Sequence, residues 1–346
     1  MNIAATIAAE LNVKESQVST ALQLLAEGNT VPFIARYRKE ATGGLDDSQL
    51  RTIEERANYL KELQERKETI LAAIEEQGKL SDALKEQILA CETKARLEDL
   101  YLPYKKRRKT KADIAREAGL EELTDKLIAD PNAAPEELAQ AFTTEGFEDT
   151  KKALDGARAI LVDRFALDAD LVGEVRERMF TEGSMGAHVV EGKEAEGAKF
   201  KDYFDFNEPF HKLPSHRILA LLRGENEGVL QLQLDAGDDA DYEDAIASRF
   251  ELDRSSKWLA DAVRWGWRTK LYISSSLDVR MRLKEIAEEG ALKIFATNLR
   301  DVLLAAPAGQ RATIGLDPGY RNGVKCAVVD KTCLLYTSPS PRDGLL

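Results

Sequence analysis

The sequence has little cysteine, with three such residues in 346. Cys91, Cys326 and Cys333 form no C-x-x-C pair and no disulfide framework, which is typical of a protein from a reducing cytoplasm. The start of the chain lacks the basic and apolar regions of a signal peptide, and no apolar run approaches the ~20 residues that span a bilayer. These absences predict a soluble, cytoplasmic protein with no membrane partner.

Familiar catalytic and cofactor motifs are also missing. The sequence contains no Walker A loop, no G-x-G-x-x-G opening a helix after a strand, no H-E-x-x-H and no nucleophile elbow. His211 and His216 are five residues apart, which does not place both on one helical face, and no cysteine accompanies them. A zinc site is therefore not expected. The absences favour a binding protein without metal or cofactor over an enzyme.

Aromatic residues are scarce, at 7% of the chain, and glycine and proline are sparse in its first half. Glu, Lys, Arg, Ala and Leu dominate that half, and such usage favours helix. The hydrophobic content of 43% is enough for a core. The length suggests about two or three domains. We therefore expect a mainly α fold.

The beginning of the chain predicts two short helices with the outline of a helix-turn-helix. Their apolar residues recur at spacings of three and four: Ile3, Ile7, Leu11, Val18, Leu22 and Leu25. A DNA-recognition helix and an ordinary helical hairpin both fit this pattern. The low positive charge of the second helix favours the hairpin.

A long central helix is predicted from residue 46 to about residue 77. Asp46 suits its start and Gly78 its end. Apolar residues at a spacing of seven form a heptad-like stripe, which predicts packing along another long helix. The stripe comprises Ile53, Leu60, Lys67 and Ile74. Lys67 would interrupt the apolar seam.

The second half of the chain is predicted to mix helices with a strand and irregular segments. Further helices are expected over residues 81–100 and 112–180. Glycines and aromatics over 183–214 indicate an irregular connection, whereas residues 229–234 alternate like a short strand. The acidic stretch 235–244 is interpreted as a solvated loop, and residues 258–300 as helical.

The change to strands after residue 310 predicts a new α/β domain. Residues 311–316 and 324–330 are its expected strands, and residues 317–319 the turn after the first. We therefore expect four segments: a helical domain at 1–182, a helical and mixed subdomain at 183–309, the start of an α/β domain at 310–331, and a non-native tail at 332–346.

Basic residues are clustered in a chain whose net charge is −12. That net charge argues against a general polyanion binder. However, six of the seven residues 105–111 are cationic and follow Tyr101 and Tyr104. Adjacent like charges repel, so fold stability does not favour this run, whereas a phosphodiester partner would. A solvated, mobile loop is the alternative.

A second cluster surrounds Tyr37 before a Gly-Gly turn. Cations beside an aromatic ring can hold a phosphate and a base, although a solvated charged face over a core of Phe33 and Ile34 fits as well. The residues predicted to bind nucleic acid in the two clusters are Arg36, Arg38, Lys39, Tyr104, Lys105, Lys106, Arg107, Arg108, Lys109 and Lys111.

Several motifs in the right order resemble the bacterial Tex family. They are residues 30–38 (TVPFIARYR) with 42–44 (TGG), residues 97–105 (LEDLYLPYK), residues 211–217 (HKLPSHR) and residues 290–295 (GALKIF). The resemblance implies a cytoplasmic RNA- or DNA-binding factor linked to transcription. Full family members continue through a YqgF-type RNase H-like domain, a helix-hairpin-helix module and a C-terminal OB-fold. The chain then corresponds to an N-terminal fragment that ends in the first strands of the RNase H-like domain.

Residues 314–319 resemble the first strand of RuvC-like nucleases, which place a carboxylate there to hold magnesium. One carboxylate cannot assemble a two-metal site, so Asp317 is interpreted as a vestigial catalytic candidate. A nucleic-acid-binding scaffold is therefore expected, and not an enzyme. The alternatives are a fragment of a magnesium-dependent nuclease and a protein adaptor for RNA polymerase. Residues 333–343 resemble translated sequencing-adapter sequence and are excluded from the fold prediction.

Overall fold

The computed structural model describes residues 2–105, 108–306, 309–319, 323–332 and 334–337. Helices make up its first half: α1 (Ile3–Leu11), α2 (Glu15–Ala26), α3 (Val31–Tyr37), α4 (Asp47–Glu76), α5 (Asp82–Ala90), α6 (Lys94–Tyr101), α7 (Lys111–Glu117), α8 (Glu121–Ala129), α9 (Pro135–Gln140), α10 (Thr150–Leu167) and α11 (Ala169–Glu182). A short 3-10 helix, Leu102–Tyr104, follows α6 directly. The predicted pair of short helices and the long helix are confirmed.

Strands enter in the second half. The elements in chain order are β1 (Ser184–Val189), β2 (Asp205–Pro209), α12 (Ser215–Asn226), β3 (Leu230–Asp235), α13 (Asp239–Arg249), α14 (Lys257–Gly266), α15 (Tyr272–Leu303), β4 (Thr313–Gly319), β5 (Gly323–Val329) and β6 (Leu335–Thr337). A π-helical turn, Trp267–Leu271, joins α14 to α15. The predicted mainly α fold is confirmed. Within the described ranges, no helix is both long and apolar enough to cross a membrane.

The chain divides into two units. The first comprises Met1–Leu213 and Ala220–Lys284, and the second comprises Pro214–Leu219 and Glu285–Leu346. In the second unit, β4, β5 and β6 form an antiparallel sheet in that order. Residues 335–337 of the predicted non-native tail therefore pair with β5, whereas residues 338–346 lie outside the described ranges. The part of α15 in this unit exposes an apolar stripe, which comprises Leu292, Phe295, Leu299 and Val302.

Helix α4 is the long helix that the heptad-like stripe predicts. Its start is fixed by Asp46, whose carboxylate accepts a hydrogen bond from the Gln49 backbone N–H at 2.8 Å while the Gln49 side chain accepts one from the Asp46 N–H at 3.0 Å. This reciprocal cap satisfies two donors that a helix start leaves open. The whole predicted stripe is buried. The expected long partner helix was wrong, because α4 packs against the short helices α1, α2, α3, α5 and α6. A heptad-like stripe predicts that one face of a helix is buried, but it does not predict how long the helices that cover this face are.

Lys67 lies in the buried stripe of α4, and no described carboxylate pairs with it. Its ammonium group donates a hydrogen bond to the backbone carbonyl of Leu89 at 2.8 Å. Leu89 is in the last turn of α5, where unpaired carbonyls carry the negative end of the helix dipole. The lysine therefore does not interrupt the seam, because its stem packs in the core and its charge caps a neighbouring helix.

The first unit contains a three-stranded antiparallel sheet with the order β2-β1-β3. The irregular connection predicted over residues 183–214 was therefore wrong for β1 and β2. The strand has a short alternation of Met185, Ala187 and Val189 with Ser184, Gly186 and His188, but the glycines on and around it favour an irregular connection. Its two neighbours also lie far along the chain, with Ser184 opposite Pro209 on one side and Asp235 on the other. Pairing between distant segments is not visible in a local pattern.

The acidic stretch 235–244 is mostly helical, so the predicted solvated loop was wrong. Helix α13 begins at Asp239, and the Asp238 carboxylate accepts a hydrogen bond from the Ala240 backbone N–H at 2.9 Å. Asp239 and Asp241 lie in the first turn. Negative side chains are favourable there because they face the positive end of the helix dipole. The acidic run is therefore the start signal of a helix.

Two rings stack in the core between α13 and the π-helical turn. The Tyr242 and Trp267 rings are 4.1 Å apart between centroids and tilted by 5°. The Tyr242 hydroxyl donates a hydrogen bond to the Ala236 carbonyl at 2.8 Å. Burial raises the pKa of Tyr242 from 10.0 to about 12.

The raised pKa of Tyr242 predicts a loss of stability at alkaline pH. Between pH 10 and 12 the folded state keeps the phenol proton that the unfolded state releases. The stabilisation is therefore complete below pH 10 and disappears as pH rises through 12. We expect the free energy of unfolding to fall by about 2–3 kcal/mol more in the wild type than in Tyr242→Phe across this range. Urea unfolding at each pH measures the difference, and equal slopes in both proteins would contradict it.

Candidate nucleic-acid interface

Helix α3 presents the first predicted cluster. Ile34 is fully buried in the core that α3 shares with α1, α2 and α4. This anchoring turns the side chains at the end of the helix outward, and Tyr37 is 66% exposed. The Phe33 and Tyr37 rings are 5.2 Å apart, and the Arg38 guanidinium lies 5.5 Å from the Phe33 centroid. An exposed aromatic pair therefore stands beside a cation. Phe33 itself is 36% exposed, so its predicted core position was wrong.

The turn after α3 is held firmly against α2. The buried hydroxyl of Thr42 donates to the backbone carbonyl of Lys39 at 3.1 Å. The Gln17 side chain on α2 donates to the Gly43 carbonyl at 2.9 Å. Gly43 has a φ of +64°, and a Cβ there would lie 2.8 Å from the Gln17 amide nitrogen. Glycine is therefore favoured at this position, because it adopts the left-handed backbone without strain and leaves the Gln17 side chain in place.

The cations of this cluster line one open groove. Its volume is about 880 Å³, and its walls are Arg36, Tyr37, Arg38, Lys39, Glu40, Ala41, Gly43 and Gly44. A second depression of about 460 Å³ shares Glu40, Ala41 and Gly43 with it and extends to Lys14 on the other side. The structure therefore brings Arg36, Arg38 and Lys39 together, as the sequence predicts.

Most arginines of the first unit are neutralised by carboxylates. Arg56 with Glu10 at 2.8 Å is one example. Among the described arginines of this unit, those without a carboxylate partner are Arg36, Arg38, Arg108 and Arg178, and Arg178 donates to the Asp241 carbonyl. Three of these four lie in the two predicted clusters. Their positive charge is therefore available to a ligand.

The second predicted cluster lies at the far end of α4. The Gln77 side chain donates a hydrogen bond to the Tyr104 carbonyl at 2.9 Å, which ties the 3-10 helix to the end of α4. A depression of about 310 Å³ opens here, and Arg66, Gln77, Tyr101 and Lys105 are among its lining residues. Tyr104 is half-buried and Lys105 is exposed.

The other residues of the cationic run differ in their exposure and ion pairing. Lys106 and Arg107 lie outside the described residues. Arg108 is exposed, whereas Lys109 forms an ion pair with Glu117 at 2.8 Å. Lys111 is the first residue of α7. Lys109 is therefore partly neutralised within the chain, unlike its neighbour Arg108.

The structure does not bring the two clusters together. Helix α3 shares a core with the part of α4 from Leu50 to Leu60, whereas Tyr104 is bound to Gln77. A helix rises 1.5 Å per residue, so these levels are about 25–40 Å apart along α4. The described residues of the two clusters thus form two separate cationic sites near opposite ends of α4.

Asp317, the vestigial catalytic candidate, is an exposed residue of β4. The strand continues through Gly319, so the predicted turn at residues 317–319 was wrong. Its antiparallel partner β5 begins at Gly323, and the pairing places Lys325 opposite Asp317. No group of three or more His, Cys, Asp and Glu side chains in the described ranges could hold a metal ion.

Sequence reasoning missed one group of residues beside Lys111. A small pocket of about 190 Å³ there is lined partly by Phe147 and Lys152. These residues lie far from Lys111 in the sequence, and no local pattern joins them. A compact fold brings such segments together through packing, which sequence spacing does not report.

Two family models match the chain. The Tex-like protein N-terminal domain matches residues 1–75, and the Tex central region-like model matches residues 130–295. The chain is 55% identical over 339 residues to the transcriptional accessory protein Tex of Neisseria gonorrhoeae, covering 96% of this chain and 45% of that protein. It is 51% identical to protein YhgF of Escherichia coli, covering 98% of this chain and 46% of the relative.

A more distant relative is the human S1 RNA-binding domain-containing protein 1. It is 30% identical over 342 residues, which cover 94% of this chain and 34% of that protein. The chain thus spans about half the length, or less, of the curated relatives it matches. Because two successive Tex models and near-complete alignments with Tex proteins agree with the motifs in the sequence, the chain belongs to the Tex family.

Proposed function

We propose that the chain is a nucleic-acid-binding scaffold that acts in transcription. The observation that carries this proposal is the groove of Arg36, Arg38 and Lys39 around the exposed Tyr37. Its arginines have no carboxylate partner among the residues that the structure describes, in a chain whose net charge is −12. Phosphates bind such cations because counterions are released. Bases stack on exposed aromatic rings, which suits a single strand.

The relatives support the same function. One is named a transcriptional accessory protein, and another an S1 RNA-binding domain-containing protein. We propose RNA or DNA as the ligand on this basis, with the two cationic sites as contacts. The proposed place of action is the cytoplasm, and the exposed free thiol of Cys326 agrees with a reducing compartment.

Neutralising the first cluster is expected to weaken nucleic-acid binding and its dependence on salt. The triple change Arg36→Gln, Arg38→Gln and Lys39→Gln removes three phosphate contacts. For a single strand, the slope of log K against log salt should become less steep by about 2. Anisotropy of short labelled RNA and DNA strands at several salt concentrations measures the slope.

The matched control neutralises three cations that already have carboxylate partners. Lys126→Gln, Lys193→Gln and Arg223→Gln change the net charge equally, but each of these cations is paired with a glutamate. The control should keep the wild-type slope. An equal decrease of the salt slope in both variants would show that only the net charge matters. That result would contradict binding in the proposed groove.

The run Lys105, Lys106, Arg107 and Arg108 is tested in the same way. Neutralising these four residues should flatten the slope independently of the first cluster, because the two sites are separate. An unchanged salt slope would show that these four residues do not contact the nucleic acid.

We propose that the scaffold acts without catalysis. One exposed carboxylate at Asp317 faces Lys325, and a two-metal mechanism requires several carboxylates around the ions. The alternative of a nuclease requires magnesium-dependent cleavage. Cleavage that is lost in Asp317→Asn would overturn the proposal of a non-catalytic scaffold.

An adaptor for RNA polymerase is the second candidate. The observation that favours it is the exposed apolar stripe of α15, because contiguous exposed apolar surface marks interaction sites. Capture of RNA polymerase by the variant with neutralised cations would support an adaptor that does not depend on nucleic acid. Loss of capture in that variant would favour a bridge made by the nucleic acid.

A further inference from the structure

A small apolar pocket lies between α7 and α10 in the first unit. Its volume is about 190 Å³. Ile114, Phe147 and Ala159 form apolar walls, and Lys111 and Lys152 line it as well. Sites for drug-sized ligands measure about 300–1,000 Å³. The pocket is thus too small for a large cofactor and suits one planar ring system.

The Phe147 ring is fixed in place by its backbone and by its contact with α10. The Phe147 N–H donates to the Thr144 carbonyl at 2.9 Å, and the Thr144 N–H donates to the Phe147 carbonyl at 3.1 Å. A Cβ at Gly156 would lie 2.8 Å from the ring, so the ring lies directly on the backbone of α10. A ring held in this way loses little entropy when a second ring stacks on it.

Cations accompany the apolar walls. Lys111 is held at the start of α7 by Thr110, whose hydroxyl accepts a hydrogen bond from the Asp113 N–H at 3.2 Å. Lys152 pairs with Glu148 at 2.6 Å, but both side chains are more than half exposed. Such surface pairs are weak, so a phosphate can replace the glutamate.

The one acid among the described lining residues has a cation beside it. Asp155 lines the pocket, and its Oδ1 is paired with Arg158. The Arg158 guanidinium in turn lies 4.9 Å from the centroid of the Trp265 ring. With Lys111 and Lys152, the charged side chains in and beside the pocket therefore include more cations than carboxylates at this face of α10 once Asp155 and Arg158 are counted together.

The geometry points to a base-binding pocket: we infer that one unpaired nucleobase stacks on Phe147 while its neighbouring phosphates contact Lys111 and Lys152. This inference rests on the proposed function and names the place where a base is held. Lys111 is the last residue of the cationic run that begins at Lys105. The cationic run therefore ends at the pocket. Base stacking on an aromatic ring accepts every base, so the pocket binds without sequence preference.

Filling the pocket tests the inference. Ala159→Leu extends an apolar side chain into the space, and leucine is a good helix former in α10. The measurement compares a labelled single strand with a strand of equal length whose central nucleotides lack bases. Wild type should prefer the strand with bases, and Ala159→Leu should lower this preference at least about fivefold. Ala159→Ser leaves the space open and should behave as wild type.

The outcomes separate this inference from the proposed function. If wild type binds neither strand at low salt, the proposed function fails. If wild type binds and folded Ala159→Leu keeps the full preference for bases, the pocket is not the place where a base is held. Phe147→Leu provides a second test, since it keeps the apolar wall and removes the ring. This variant should also lower the preference, with Tyr37 still able to stack on bases, whereas its salt slope should stay at the wild-type value.

Discussion

Replacing Trp267 with alanine is expected to lower the free energy of unfolding by about 3–5 kcal/mol. The side chain is fully buried. It stacks on Tyr242, and its edge meets the Tyr272 ring at a centroid distance of 5.6 Å. Its indole N–H donates to the Asp239 carboxylate at 2.6 Å, so the change also removes a hydrogen bond from the start of α13. The variant therefore loses a large core side chain and a polar contact together.

Trp265 provides the matched control for this change. It lies two residues away but is 53% exposed. Trp265→Ala removes the cation–π contact with Arg158, and such contacts at exposed sites contribute about 0.5–1 kcal/mol. Urea unfolding followed by circular dichroism measures both variants. Similar losses of unfolding free energy in the two variants would contradict the prediction that the buried Trp267 stabilises the core more than the exposed Trp265 does.

Replacing Arg176 with alanine is expected to lower the free energy of unfolding by about 3–5 kcal/mol as well. Arg176 on α11 binds both carboxylate oxygens of Asp99 on α6, at 2.7 and 3.1 Å. The two side chains are 13% and 10% exposed. Removing the arginine leaves an uncompensated carboxylate in a poorly solvated place. The pKa of Arg176 is raised, with the hydrogen bond to Asp99 as the first cause.

A double variant separates the contribution of the ion pair from the cost of leaving one buried charge without its partner. Arg176→Met with Asp99→Leu should recover much of the stability, because apolar pairs of similar volume can replace a buried ion pair. Arg223→Ala is the control for an exposed pair, and should cost about 0–1 kcal/mol. If Arg176→Ala lowered the free energy of unfolding no more than this control does, the ion pair between α6 and α11 would stabilise the fold no more than an exposed pair, which would contradict the prediction.

The sequence predicts the parts of the fold that local patterns specify. The long α4 has both a capping residue, Asp46, and an apolar stripe of constant spacing, so its limits are readable. Strand β1 has only a short alternation of Met185, Ala187 and Val189 in a glycine-rich stretch, and its partners are distant. The acidic start of α13 was misread, since the same aspartates fit a solvated loop and the first turn of a helix. The cap at Asp238 and the packing of Tyr242 on Trp267 together favour the helix.

The candidate sites are predictable to a similar extent. Clustered cations near Tyr37 and Tyr104 are visible in the sequence because they are adjacent in it. Whether a cation is free is not visible, because its neutralising partner can be distant: Arg56 pairs with Glu10 across 46 positions. The pocket beside Lys111 is hidden for the same reason, since Phe147 and Lys152 reach it from another part of the chain.

The separation of the two cationic sites along α4 has a consequence for the length of a ligand. One strand of stacked nucleic acid advances about 3.4 Å per nucleotide, so a span of about 25–40 Å corresponds to roughly seven to twelve nucleotides. Shorter oligomers reach one end of the helix only. Longer ones engage both ends at once, and the second contact then forms at a high effective concentration. Under the proposed function, α4 therefore sets the distance between the two contacts, and this spacing predicts a preference for strands above a threshold length without recognition of individual bases.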